Sequence, residues 1–267
     1  MMIKNVLKLS VAFALFTVMA TSAQAAVLLN EDYANTTSNM DLDPNHGWTK
    51  NGAGSQFSRP SPSGTLIGTD KPGGVGYAPH SNSNYSKALS SPINTLNNGD
   101  VVDVSETYGL IDGNTGNGHL NYTGILLDDG DGGTNPIGWQ VDFQTVSTPT
   151  NDEHIELVAF GNTQNINSNV GANWEVQMTI TGTGSGNADV EWFVSMDGGS
   201  FNQLGTTASG AYPGADRVVR IAHDYVSATG WFDDTTVEFT AIPEPSTCVL
   251  LLIGAAALCS RVRRRRV

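Results

Sequence analysis

Residues 174 to 180 read Trp-Glu-Val-Gln-Met-Thr-Ile, apolar and polar side chains in strict alternation. A β-strand sends successive side chains to opposite faces, so this run can bury one face and wet the other only when extended. A helix built from it would scatter Trp174, Val176, Met178 and Ile180 around its circumference. The same period recurs along the second half of the chain. Val102, Val104, Tyr108 and Leu110 alternate with Asp103, Ser105 and Thr107. Trp139, Val141 and Phe143 alternate with Gln140, Asp142 and Gln144, and Val190, Trp192, Val194 and Met196 with Asp189, Glu191 and Ser195. The turn Asp197-Gly198-Gly199-Ser200 leads into a strand at 201–204. Val219, Ile221, His223 and Tyr225 mark another strand, and Val237 and Phe239 the last. Gly, Asn and Asp clusters separate these runs, which is the pattern of antiparallel strands joined by tight turns.

The first hundred residues are less regular. Val27-Leu28-Leu29 ahead of Asn30-Glu31-Asp32-Tyr33 predicts an opening strand. A stretch rich in Asn, Ser, Gly, Thr and Pro follows, with short strands expected around 65–68 and 86–89. No twelve-residue window between the two ends of the chain carries an amphipathic helix pattern. About eleven to thirteen strands in one domain, residues 26–240, predict an all-β fold, an antiparallel two-sheet sandwich of the jelly-roll type.

Both ends carry addresses. Lys4 and Lys8 precede an apolar stretch at 9–20, and Ala23-Gln24-Ala25 fits a small-x-small cleavage pattern. Residues 1–25 therefore read as a signal peptide cut after Ala25, with Ala23 and Ala25 as the recognition pair. At the other end, Pro243-Glu244-Pro245 keeps the chain extended, since each proline fixes φ and lacks an N–H. An apolar segment at about 247–260 then predicts a short membrane helix, which at about 1.5 Å per residue falls short of the roughly 30 Å hydrocarbon core. Arg261, Arg263, Arg264, Arg265 and Arg266 follow at once. By the positive-inside rule they hold this end in the cytoplasm and leave the domain outside. A rigid Pro-Glu-Pro, a short apolar helix and an arginine cluster resemble a PEP-CTERM sorting tail at 241–267. The resemblance implies transient residence in the inner membrane and an exosortase-type processing enzyme as partner. Cys248 and Cys259 both lie in this tail, so the exported part forms no disulfide.

Between the two addresses stand 25 acidic and six basic residues, a net charge of −19. Such a surface repels nucleic acid and anionic lipid and suits neutral glycans, cations or solubility alone. Two acidic loops offer oxygen ligands for calcium. Asp129, Asp131 and Asn135 lie in the glycine-rich run 128–135, and Asp41, Asp43 and Asn45 begin a second loop that lacks the glycine and glutamate of an EF-hand. A solvated acidic turn is the alternative for each.

Trp192-Phe-Val-Ser-Met-Asp-Gly-Gly, the closing Gly230-Trp-Phe-Asp-Asp-Thr-Thr-Val-Glu-Phe and the opening Leu28-Leu-Asn-Glu-Asp-Tyr resemble strands of the concanavalin A-like lectin/glucanase sandwiches. That family holds binding modules as well as hydrolases and lyases, so the resemblance implies a fold and leaves the activity open. Its glucanases place Glu-x-Asp-x-x-Glu on one strand, and no Glu in this chain is followed by Asp two residues later. The nearest approaches, at 103–106, 153–156 and 189–191, are incomplete. Glu106 falls on the apolar side of its strand, where a carboxylate is costly unless paired; a place near the strand's wet end is the alternative, and it is the first carboxylate to test for catalysis. His46, His80, His119, His154 and His223 show no metal-ligand spacing. For sugar binding, Gln140, Asp142 and Gln144 form a polar strand face on a strand expected at 138–146. Trp48, Tyr77, Tyr85, Tyr212 and Trp231 lie in or near expected loops, whereas Trp139, Trp174 and Trp192 are in phase with the core. The reading is an exported, non-enzymatic, carbohydrate-binding sandwich of the cell surface or exopolysaccharide matrix. A polysaccharide hydrolase or lyase and a purely structural matrix protein are the alternatives.

Overall fold

The computed structural model describes residues 24–31, 47–51, 66–67, 83–111, 122–130, 135–142, 154–167, 173–223 and 230–242. They form fourteen strands: β1 Gln24–Glu31, β2 Thr49–Asn51, β3 Leu66–Ile67, β4 Ser83–Ile93, β5 Val101–Ile111, β6 Tyr122–Asp128, β7 Ile137–Asp142, β8 His154–Ala159, β9 Asn162–Asn167, β10 Asn173–Gly184, β11 Asn187–Met196, β12 Asn202–Ala211, β13 Ala215–His223 and β14 Gly230–Ala241. Two antiparallel seven-stranded sheets result. The first runs β1-β14-β5-β10-β11-β12, with β3 paired to the far end of β5; the second runs β2-β4-β13-β6-β7-β8-β9. The all-β sandwich read from the sequence is the observed architecture. Ala26–Phe239 pack as one compact unit. Among the described residues there is no helix, so none long and apolar enough to cross a membrane. The expected membrane helix lies outside them, as does all of the expected signal peptide before Gln24.

Three tight connections follow from local backbone chemistry. Phe160-Gly161 and Ser185-Gly186 are two-residue hairpin turns with both residues at positive φ (53° and 73°, 56° and 76°). That is the type I′ geometry, whose twist matches the strands it joins. Asp197 and Gly198 open the longer β11–β12 loop with the same pair of signs (49° and 73°).

The core lies between the sheets and follows the period-2 pattern. From the first sheet come Val102, Val104 and Tyr108, then Trp174, Val176, Met178 and Ile180, then Val190, Trp192 and Val194; from the second come Ile125, Leu127, Trp139, Val141, Ile155 and Leu157. Two indole N–H groups cross the core. Trp139 Nε1 donates to the Tyr108 hydroxyl at 2.8 Å, and Trp192 Nε1 donates to the Gly138 carbonyl at 3.1 Å. Each bond ties a strand of one sheet to the other, and Tyr108 also stacks on Trp174 with ring centroids 4.8 Å apart.

The sequence pattern fails on β13. Alternation there predicts Val219 and Ile221 facing inward, yet Val218 and Arg220 are the fully buried residues and Val219 is half-buried. The irregularity of the β13–β4 pairing between Ala215 and Arg217 lies at the start of this strand. Arg220 thereby enters the core and pairs with Glu106 of β5, both side chains having no exposed surface. Glu106 is not at a wet strand end; its cost of burial is met by a counter-charge. Thr235 of β14 donates to Glu106 at 2.6 Å and accepts from Arg220 at 3.1 Å, and Arg220 also donates to Thr123 at 3.4 Å. The guanidinium stacks 3.6 Å above the Phe232 ring and 5.6 Å from that of Trp48. Trp48 and Tyr85, expected in loops, are core residues at 1% and 0% exposure.

The open edges of the sandwich are closed by side chains. At one edge Lys87 of β4 pairs with buried Glu31 of β1 at 2.5 Å. At the other, Gln164 of β9 accepts from the Thr206 backbone N–H at 2.9 Å and donates to the Thr206 carbonyl at 3.0 Å, as a neighbouring strand would. Gly205 has φ 62°, and a Cβ there would lie 2.7 Å from the Gln164 amide oxygen, so only glycine lets β12 come this close to β9.

Removing one member of a buried pair strands a charge at a cost of about 3–5 kcal/mol. Arg220→Met or Glu106→Leu should therefore lower the Tm of residues 26–242 by about 6–20 °C. The double variant should regain most of that loss in thermal denaturation. A double variant no more stable than the singles would show that charge compensation is not what the pair contributes.

Burial, then the neighbouring Glu106 charge, holds the Tyr108 hydroxyl protonated well above the usual phenol range, and burial does the same for Tyr212. In the unfolded chain each releases its proton near pH 10. Their contribution is thus intact below pH 10 and falls as pH rises above it. Tyr108→Phe should reduce the slope of stability against pH between 10 and 12 by about 1.4 kcal/mol per unit, one proton's worth; an unchanged slope would overturn this assignment.

Candidate functional site

Two constellations of polar side chains stand out. The first, Arg220, Glu106, Thr123, Thr235 and Tyr108, is wholly buried between the sheets. No substrate reaches it; Glu106 and Arg220 answer each other's charge, and Thr123 and Thr235 hydrogen-bond to the pair. Its chemistry is cohesion.

The second lies on the outer face of the first sheet. Because Val104, Val176, Val190 and their in-phase neighbours point inward, the residues between them must point out. The pairing register lines these up across strands. Ser105 lies opposite Gln177, Gln177 opposite Phe193, and Phe193 opposite Gln203. Ser105 shares a 2.7 Å hydrogen bond with Thr236 of β14, which extends the row to a fifth strand. Four strand spacings make it about 19 Å long. A parallel row carries Asp103, Thr179 and Glu191, where Thr179 donates to Asp103 at 2.8 Å and Thr207 to Glu191 at 3.0 Å. A further row pairs Asp189 with Ser209 at 2.6 Å. Between β14, β5 and β10 the face sinks into a groove of about 400 Å³ lined by Asp103, Val104, Ser105, Gln177, Thr236 and Glu238. Phe193, half-buried, lies beside it, flanked by the amides of Gln177 and Gln203.

Amides, hydroxyls and carboxylates beside an aromatic ring match what polyhydroxylated ligands need: donors and acceptors for hydroxyls, and a ring for apolar sugar faces. Carboxylates stand on the same face: Asp103 and Glu191 flank β10 in one row, and Asp103 and Glu238 line the groove. Asp189 and Glu191 share one strand face, and each accepts a hydrogen bond from a neighbouring hydroxyl.

Other residues singled out by the sequence fall elsewhere. Gln140 sits half-buried on the outer face of the second sheet, opposite Gly124 and Glu156. Asp142 ends β7 with an undescribed side chain, and Gln144 lies outside the described residues, so the expected 138–146 strand is seen only to Asp142. Asp129 is half-buried after β6 and Asn135 is exposed before β7, while Asp131 lies outside the described residues, as do Asp41, Asp43 and Asn45. A guanidinium already stands in the first loop. A Cβ on Gly130 would lie 1.9 Å from an Arg217 nitrogen, and the Asp216 hydrogen bond first, then the charges of Asp128 and Asp129, raise the pKa of Arg217. Arg217 also bonds Asp216 at 2.7 Å and pulls that carboxyl below the usual range. Calcium bound there would compete with this side chain. Tyr212 is half-buried after β12, Trp231 falls within β14, and Tyr77 lies outside the described residues. Ala25 is exposed at the start of β1; Ala23 and the tail residues Pro243, Glu244, Pro245 and Arg261 to Arg266 lie outside.

Sequence reasoning missed the outer face of the first sheet although its signal was present. Glu191, Phe193 and Ser195 form the polar phase of β11, and Phe193 is the one aromatic in that phase. A ring in the polar phase of a strand is the signal that could have pointed to this face.

Residues 241–266 match the PEP-CTERM protein-sorting motif. The motif indicates an exported protein held at the membrane by its C-terminus before processing. No curated protein matches the chain in sequence. Among solved structures, the globular domain of Trypanosoma cruzi calreticulin superposes with TM-score 0.47 at 16% identity, covering 91% of this chain and 100% of its own. Lectin II from Ulex europaeus gives 0.42 at 10%, covering 81% and 97%. The endo-1,3-β-glucanase of Streptomyces sioyaensis gives 0.45 at 10%, covering 84% and 99%.

Proposed function

We propose that this protein is an exported, non-catalytic carbohydrate-binding sandwich of the cell surface or exopolysaccharide matrix, and that an exosortase-type enzyme processes its tail. The glycan lies across the outer face of the first sheet. The observation that carries this reading is the row Thr236, Ser105, Gln177, Phe193 and Gln203, which puts an aromatic ring between two amides beside a groove. A purely structural protein has no use for that ring in the polar phase of a strand. A hydrolase would need two carboxylates converging on one bond; Asp103 and Glu238 both line the groove, so that alternative is decided by whether sugar ends are released.

Polysaccharide retention in affinity electrophoresis tests it. Phe193→Ala should weaken binding about two- to tenfold, the range of a lost stacking contact. Gln177→Ala with Gln203→Ala should also weaken it while changing stability by no more than ~0.5 kcal/mol. Gln140→Ala, on the opposite sheet, should leave retention unchanged; weakening by Gln140→Ala alone would move the site to the second sheet. Release of reducing or unsaturated sugar ends by the wild-type protein would make it an enzyme.

The sorting reading has its own test. Glu244→Ala should leave uncleaved chain in the inner membrane, read by size and fractionation. Mature protein of normal size and location in that variant would remove the processing site from Pro243-Glu244-Pro245. Deleting Arg261 to Arg266 should separately weaken membrane retention, since the short helix loses its cytoplasmic anchor.

A further inference from the structure

The two sheets differ in charge. Among the described residues every lysine and arginine belongs to a strand of the second sheet: Lys50 in β2, Lys87 in β4, Arg217 and Arg220 in β13. The first sheet has none, and its outer face carries Asp103, Glu175, Asp189, Glu191 and Glu238. Two of these, Asp103 and Glu238, line the groove itself. Glu238 is exposed at its β14 wall. The groove therefore combines a single-sign field with neutral donors and acceptors from Ser105, Gln177 and Thr236.

We infer that the groove selects glycans bearing free amino groups, such as glucosamine polymers, over uronic-acid polymers. This rests on the carbohydrate-binding reading above and specifies its ligand class. A protonated amine reaching Asp103 or Glu238 gains a charge-assisted hydrogen bond, roughly twice as strong as a neutral one. A uronic acid in the groove meets Asp103 and Glu238 and, among the described residues of this sheet, no counter-charge. An N-acetylated sugar loses the charge and keeps only the neutral contacts. The field acts over about a Debye length, near 10 Å at 0.1 M salt, so the preference is steepest at low ionic strength.

The full chain, purified in detergent, is titrated calorimetrically with glucosamine oligomers, N-acetylglucosamine oligomers, neutral glucan oligomers and oligomeric alginate, each at low and high salt. The inference expects glucosamine oligomers to bind most tightly, with affinity falling as salt rises, and alginate not to bind. Asp103→Asn with Glu238→Gln should reduce glucosamine binding about fivefold, two exposed ion pairs' worth, and reduce binding of N-acetylated oligomers by less. Equal binding of free and N-acetylated oligomers, both lost in Phe193→Ala, would overturn the amine selection and keep the glycan site. Tight binding of alginate would also overturn it. No binding to any of the four would overturn the carbohydrate reading itself.

Discussion

Arg220 of β13 and Glu106 of β5 meet midway between the sheets with no exposed surface on either side chain. Two charges in such a place are stable only while both are there and both are hydrogen-bonded. The structure meets the second condition through Thr123 and Thr235, one from each sheet, and through the Phe232 ring under the guanidinium. Tyr108 extends the same network, since its hydroxyl bonds Glu106 and accepts from Trp139. A slip of β13 by one residue would turn Arg220 out to solvent and leave Glu106 alone in the core. The pair is therefore a register pin for the whole sandwich. Apolar packing alone would accept several phases of a strand such as Arg-Val-Val-Arg-Ile-Ala, and the ion pair accepts one.

That pin also marks where sequence reading stopped. The architecture was legible because Trp174 to Ile180 and Val190 to Met196 alternate cleanly, and period 2 fixes which side is wet once one face is buried. Glu106 was legible as a problem, a carboxylate on an apolar phase. Its solution was not, because Arg220 is 114 residues away and stands in a strand where valine and isoleucine suggest the opposite phase. Trp48 and Tyr85 were misplaced for a related reason. Turn-rich flanks put them in loops, but a short strand paired to β4 and an inward position on β4 bury both. Pairings between distant strands carry no local trace, and those pairings decided each of these cases. The candidate face was half legible. Its polar phase was in plain view on β10 and β11, while its alignment into rows depended on registers that no single strand reveals.

Closing the edges is the second demand on a sandwich, since an open edge presents unpaired N–H and C=O groups. Here the two ends are treated differently. Lys87 and Glu31 join β4 to β1 by charge, beside Trp48, whose ring lies 6.0 Å from the Lys87 nitrogen. Gln164 instead imitates a backbone, giving and taking one hydrogen bond with Thr206, and Gly205 supplies the space. Neither device needs a disulfide.

These commitments shape what the surface can recognise. Lys87, Arg217 and Arg220 are each paired with a carboxylate of their own molecule. Net charge of −19 over the exported span is thus uncompensated where it matters most, on strands β5, β10, β11 and β14, which carry no base. Arg220 is withheld from the surface altogether. Interactions of that face with other molecules are then governed by the ring of Phe193, the amides and hydroxyls around it, and a field of one sign. A face of one sign discriminates chiefly by what it rejects, because like charge across a contact costs several kcal/mol whereas an exposed attractive pair contributes about one or less. If the face binds glycans as proposed, exclusion of polyanions would follow from the absence of a base on those four strands.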